Sequence, residues 1–155
     1  MRYLADSRRH EIKADHWYPS DLHVRAKVDE YLDSHHYHFR NKSSAYVFKK
    51  VHAPIVLGKT FTDKELENDV TRTKEALKLL EKRLAPYDYL ASNEISIADI
   101  VALCDLDSLR FVDYNIDEKE YPRIVAWHKR VLDSQPAIKE VHEQFCKLIV
   151  KFKAA

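Results

Sequence analysis

Apolar residues recur at every third or fourth position over most of the chain, which is the spacing that places them on one face of a helix. The pattern predicts long helices over about 21–51, 62–85, 96–111, 121–134 and 136–149, preceded by a short helical stub. Pro54 is expected to end the first of them, because proline lacks the amide hydrogen that a helix interior needs. We therefore expect residues 53–61 to form a loop. Strands do not alternate with helices in this pattern, so the sequence predicts an all-α bundle of about five helices.

Residues 95–100 carry the most specific local signal in the chain. Ser96 is suited to cap a helix, and the carboxylate of Asp99, three residues on, can return a hydrogen bond to the Ser96 amide. Ile95 and Ile100 stand at the two positions of a hydrophobic staple. Box and staple together predict the start of a central, buried helix. An acidic residue there also suggests catalysis, but the capping role already accounts for Asp99.

Two other helix starts are marked in the same way. Thr62 and Glu65 have the spacing of a second capping box. Ser20 follows Pro19, and we expect its side chain to cap the first long helix.

Composition narrows the class of protein. The 155 residues are 45% hydrophobic and 33% charged, which is enough apolar material for one domain with a core. The formal net charge of +1 and the lack of an apolar run near ~18 residues argue against nucleic-acid and membrane partners. The first residues lack the apolar stretch of a secretory signal, and two cysteines do not make a disulfide framework, so we expect a cytoplasmic protein. Gly58 is the single glycine, which excludes glycine-rich phosphate-binding loops.

Short stretches spread over the chain share their order and spacing with one protein family. They are Arg2-Tyr3-Leu4, His16-Trp17-Tyr18-Pro19, residues 26–32 and 54–58, the capping box at Ser96, Pro122 with Ala126-Trp127, Arg130-Val131, and Glu140-Val141-His142. In this register the chain resembles the C-terminal helical domain of theta-class glutathione S-transferases. Residues 1–19 resemble the end of the last helix of the N-terminal domain with its linker, and residues 20–155 resemble the helical domain itself.

The resemblance implies a function that the two domains of that family share. There, a thioredoxin-like N-terminal domain holds glutathione, the co-substrate, and carries the catalytic serine, while the helical domain forms the pocket for a small hydrophobic electrophile. The residues of that first domain do not occur in this sequence, so we assign no catalytic residue and no bound cofactor to the chain alone, which we expect to be inactive. Whether it acts as an enzyme is thus left open.

Two alternatives use the same fold without catalysis. Bundles of this kind are reused as docking modules, so a non-catalytic protein-interaction domain is the first alternative. Ligand storage in the helical cleft is the second. A homodimer or another protein is the expected macromolecular partner.

Four residues are candidates for the electrophile pocket by resemblance. Arg40 best matches an arginine that lines this pocket, and a guanidinium can bind an anionic leaving group, although a solvated arginine is the alternative. His36 lies one turn before it. Tyr37 stands where some relatives have an aspartate that reaches the glutathione of the partner subunit, with simple packing as its alternative. Phe48 is suited to an apolar cleft or to the core.

Metal binding was considered at the three neighbouring histidines, His35, His36 and His38. His35 and His38 are three residues apart and can share a helix face, but a third ligand at a recognised spacing is missing. We therefore predict surface or interface histidines there and no metal site.

Overall fold

The computed structural model describes residues 1–12 and 14–154, and within these ranges the secondary structure is helical with no strand. A stub of α1 (Arg2–Ser7), α2 (Arg9–Ile12) and a 3₁₀ turn (Asp15–Trp17) precedes the bundle. The bundle consists of α3 (Leu22–His35), α4 (Asn41–Val47), α5 (Ala53–Leu57), α6 (Asp63–Arg83), α7 (Ile97–Ser108), α8 (Pro122–Ser134) and α9 (Pro136–Ala154). The predicted all-α bundle is confirmed. No helix in the described ranges is long and apolar enough to span a bilayer.

Helices α3, α4 and α5 form one continuous helical run. Two π-helical stretches, His36–Arg40 and Phe48–His52, join them. The prediction of a loop is wrong for residues 53–57, which form α5. Pro54 lies in the first turn of this helix, where a missing amide hydrogen is tolerated. The π-helical stretch before it has already changed the hydrogen-bonding register. Gly58, at a φ of 62°, ends α5 in the left-handed conformation that glycine adopts without strain.

The start of α3 differs from the prediction. Asp21, not Ser20, caps this helix, since its carboxylate accepts a hydrogen bond from the Val24 amide at 2.9 Å. The Ser20 hydroxyl instead donates to Asp15 at 2.7 Å. Either side chain can cap a helix, but Asp21 is the residue with the extended backbone conformation that a cap requires.

The structure contains both capping boxes. In the box of α6, the Thr62 amide donates to Glu65 at 2.8 Å on the protein surface. In the box of α7, the Ser96 amide donates to Asp99 at 2.8 Å inside the core. Asp99 also accepts hydrogen bonds from the Leu90 amide at 3.0 Å and from the Trp127 indole at 2.9 Å. One buried carboxylate thus ties α7 to α8 and to the segment before α7.

The core lies between α3, α4, α6, α7 and α8. Its most deeply buried side chains are Val28, Leu77, Ala98, Ala102, Leu109, Ile124, Trp127 and Val131. Ile95 belongs to this core and Ile100 packs against it, while their mutual staple contact stays a prediction. Cys104 of α7 follows Ile97 and Ile100 at helical spacing, but its side chain is exposed. Helix α9 packs on α8 and leaves much of its apolar surface uncovered.

Candidate functional site

Arg40 is held in place by a buried hydrogen-bonded chain. Its Nε donates to Oδ2 of Asp105 on α7 at 2.8 Å, and the Nε2 of buried His35 contacts the same oxygen at 2.6 Å. The Tyr31 hydroxyl lies 3.0 Å from Nδ1 of His35 and completes the chain. Burial alone would raise the pKa of Asp105, but the hydrogen bonds from His35 and Arg40 outweigh it and lower this pKa. The carboxylate therefore stays ionised and orients the guanidinium.

The guanidinium of Arg40 is suited to binding an anion. Its side chain is 48% exposed, and within residues 1–12 and 14–154 only its Nε forms a hydrogen bond. The pKa of Arg40 is raised, mainly by the hydrogen bond to Asp105, so the positive charge is permanent. A planar guanidinium fixed through one nitrogen can present the other two to a carboxylate, phosphate or sulfate.

Aromatic rings also lie further along the helical run that carries Arg40. Phe48 follows eight residues later, roughly 12 Å at the helical rise, and its ring lies 6.3 Å from that of His52. Phe111 lies 6.4 Å from His52 and meets two rings of α9 edge to face. We call the five rings the aromatic surface: Phe48, His52, Phe111, Phe145 and Phe152.

The structure brings only two of the four predicted pocket residues into this arrangement. Arg40 belongs to the hydrogen-bonded chain and Phe48 to the aromatic surface. Phe48, at 46% exposure, is not a core residue. Tyr37 is 71% exposed, and its ring meets that of His36 edge to face at 5.6 Å. Its role in the pocket or in packing stays a prediction. No hydrogen bond in the described part of the chain joins His36 or Tyr37 to Arg40.

A cavity lies elsewhere in the molecule. It measures about 520 Å³, lies between α3 and α6, and is lined by residues that include Tyr31, His35, His38, Leu80 and Arg83. None of the four predicted pocket residues lines it. Arg40 and the aromatic surface therefore lie outside this cavity.

A second polar cluster escaped sequence reasoning. Asp107 on α7, 7% exposed, contacts Nε2 of His128 at 2.9 Å through Oδ1 and Nδ1 of His142 at 2.8 Å through Oδ2. The two histidines are 21 and 35 positions away along the chain, so no local spacing connects them to Asp107. Only the meeting of α7, α8 and α9 creates the cluster.

Comparison with known proteins places this bundle in a family. Residues 43–136 match the family described as "Glutathione S-transferase, C-terminal domain". "Glutathione S-transferase theta-1" of Mus musculus is 35% identical over 153 residues, 96% of this chain and 61% of that protein. The Gallus gallus theta-1 protein is 34% identical over 140 residues, 90% of this chain and 52% of that protein. The chain thus spans between half and two thirds of the length of these relatives.

Solved structures agree with this family. Apo human glutathione-S-transferase T1-1 superposes with a TM-score of 0.82 at 28% identity, over 98% of this chain and 63% of that one. The chain belongs to the glutathione S-transferase family, and its bundle is a C-terminal helical domain of the theta class.

Proposed function

We propose that Arg40 and the aromatic surface form the electrophile-binding wall of a theta-class glutathione transferase. The observation that supports this most strongly is the fixed, half-exposed guanidinium of Arg40 on the same helical run as Phe48 and His52 of the aromatic surface. Such a face suits a ligand with an apolar ring and an anionic group. A human theta-class enzyme has been solved in complex with the glutathione conjugate of 1-menaphthyl sulfate, whose parent compound has both features.

The proposed reaction is the displacement of such an anionic leaving group by the glutathione thiolate. The sulfur attacks the carbon that carries the sulfate, a carbon–sulfur bond forms, and the carbon–oxygen bond breaks with its electron pair leaving on the sulfate. Arg40 would stabilise the negative charge that develops on the sulfate oxygens. Asp105 would position Arg40, and the aromatic surface would hold the ring and exclude water from it.

Glutathione itself is assigned to a thioredoxin-like domain, as the resemblance implies. The 48% exposure of the Arg40 side chain supports this, because an exposed wall becomes a pocket when a second domain covers it. Residues 1–19 are proposed to be the linker to that domain and residues 20–155 the helical domain, in a cytoplasmic protein. A second copy of the chain is the proposed partner. The docking-module alternative is disfavoured, since the relatives, from animals and from Arabidopsis thaliana, are named as transferases.

An NMR titration of the chain with 1-menaphthyl sulfate tests the wall. We expect amide shifts that cluster at Arg40, Phe48 and Phe111. R40Q should weaken binding about tenfold or more, because it removes a charge-assisted hydrogen bond of about 1.5–3 kcal/mol. R8Q is the matched control, since Arg8 is also an exposed arginine paired with a carboxylate, that of Glu11.

Two results would contradict the proposal. Equal weakening by R40Q and R8Q would remove Arg40 from the site, and shifts clustered in the cavity between α3 and α6 would place the ligand there. Calorimetry with glutathione is the companion measurement. We expect no binding heat from this chain, and either binding or conjugation would show that our assignment of glutathione to the other domain is wrong.

A further inference from the structure

Asp107, His128 and His142 meet at the junction of α7, α8 and α9. One atom from each side chain lies within 4.8 Å of the corresponding atoms of the other two. A tetrahedral zinc ion holds its nitrogen and oxygen ligands at about 2.0–2.2 Å, which puts them roughly 3.4 Å from one another. The cluster therefore needs only side-chain adjustments to surround an ion. We propose that Asp107, His128 and His142 form a binding site for a divalent transition cation, Zn²⁺ in particular.

The ligand set has the chemistry that zinc prefers. Two imidazoles and one carboxylate are a common three-residue combination for this ion, with water as the fourth ligand. Burial would raise the pKa of Asp107, but hydrogen bonds and charge from His128, Arg110 and His142 lower it, so the carboxylate is ionised and ready to coordinate. Each imidazole already points one ring nitrogen at this carboxylate, Nε2 of His128 and Nδ1 of His142.

A second partner orients the His142 ring. Its Nε2 lies 3.5 Å from Sγ of Cys146, one turn further along α9. When Nδ1 binds a metal, Nε2 carries the proton and donates to this sulfur. Outer partners of this kind fix the ring orientation of most metal-ligating histidines. Cys146 is thus assigned a positioning role rather than a place among the ligands.

An adjacent cavity supplies the open coordination position and a route of entry. It measures about 210 Å³ and is lined by Asp107, His128, Arg110, Tyr114 and Asn115 among others. A water molecule occupies about 30 Å³ in the liquid, so the cavity has room for a metal-bound water and its neighbours. This distinguishes the cluster from a sealed hydrogen-bond network, which an ion could not reach.

Arg110 competes with a metal ion for the carboxylate of Asp107. Its Nε donates to Oδ1 of Asp107 at 3.1 Å, and its side chain is about half exposed, so it can move into solvent when an ion arrives. Its removal should therefore strengthen metal binding.

The test is calorimetric titration with Zn²⁺ of the purified chain after treatment with a chelator. We expect one ion per chain, proton release on binding, and a higher melting temperature. H128N and H142N should each weaken binding by more than ~100-fold, beyond the ~10–100-fold typical of losing an outer partner. H23N, which alters an exposed histidine of α3, should leave the affinity unchanged. Circular dichroism of each variant shows whether its fold is retained.

Further measurements distinguish the metal ligands from Arg110 and Cys146, which lie beside them. R110Q should raise the affinity, and C146S should keep one ion per chain with at most a ~10-fold loss. Co²⁺ should give visible absorption bands of a four-coordinate site without the intense near-ultraviolet band of a cobalt–thiolate bond. A thiolate band would overturn this ligand set, and no saturable binding, or equal binding by the wild type and a folded H142N variant, would overturn the site.

Discussion

The buried capping box of α7 makes a quantitative prediction about D99N, a substitution that keeps the shape of the side chain. Oδ1 of Asp99 accepts hydrogen bonds from the Leu90 amide and the Trp127 indole, and Oδ2 accepts them from the amide and the hydroxyl of Ser96. Asparagine replaces one oxygen by an NH₂ group, which only donates. Whichever way the amide is turned, at least one fully buried N–H group loses its acceptor.

The size of the effect follows from these contacts. An unsatisfied buried donor costs about 1–3 kcal/mol, and the loss of charge weakens the hydrogen bonds that remain. Because Asp99 and Ser96 are almost completely buried, water cannot replace the acceptor. We therefore expect D99N to lower the free energy of unfolding by about 2–4 kcal/mol.

Urea unfolding followed by circular dichroism measures this loss. Burial raises the pKa of Asp99, against the hydrogen bonds from Leu90, Trp127 and Ser96, so the measurement is made in mildly alkaline buffer, which favours the ionised carboxylate. The midpoint should fall without a change in the slope of the free energy against urea. E65Q is the matched control, since it makes the same change in the exposed box of α6, where water can serve as acceptor. A D99N protein as stable as the wild type, or an E65Q protein destabilised as much as D99N, would refute this reasoning.

Two further outcomes are expected. Burial would raise the pKa of Asp105, but hydrogen bonds from His35 and Arg40 lower it. This carboxylate therefore contributes stability that is fully present above its unfolded pKa of about 3.9. The contribution is lost as the pH falls through the lower pKa of the folded state. The melting temperature of D105N should therefore fall less than that of the wild type on acidification, and parallel curves would contradict the ion pair. Gly58→Ala should cost about 1–2 kcal/mol in urea unfolding, because a methyl group there meets no atom within 4 Å and only the φ of 62° opposes it. A neutral result would show that the end of α5 relaxes.

Features that depend on nearby residues could be predicted from the sequence. The capping boxes at Thr62 and Ser96 each need two side chains three positions apart, so the spacing alone indicates them. The prediction for residues 53–57 failed although the effect of Pro54 on helices was applied correctly. The π-helical stretch Phe48–His52 changes which amides need partners, and no residue in it marks this change.

Features that depend on distant residues could not be predicted. Arg40 was found through resemblance, but its partner Asp105 is 65 positions away, and nothing in the sequence connects the two. Phe48 and Phe111 likewise meet through His52 only because the π-helical stretch Phe48–His52 packs against the 3₁₀ turn Leu109–Val112 that follows α7. His35, His36 and His38 are neighbours in the sequence and suggested a metal site for that reason. The histidines that do cluster, His128 and His142, come from different helices.

Helix α7 connects the proposed electrophile wall to the proposed metal site. Asp105 and Asp107 are two residues apart, and at about 100° per residue their side chains leave α7 roughly 200° apart. One carboxylate therefore fixes Arg40 on the α3–α4 side, and the other gathers His128 and His142 on the α8–α9 side. Asp99 anchors the start of the same helix to Trp127 of α8. Because three acidic residues of one helix bind three different parts of the bundle, the orientation of α7 fixes both sites relative to each other.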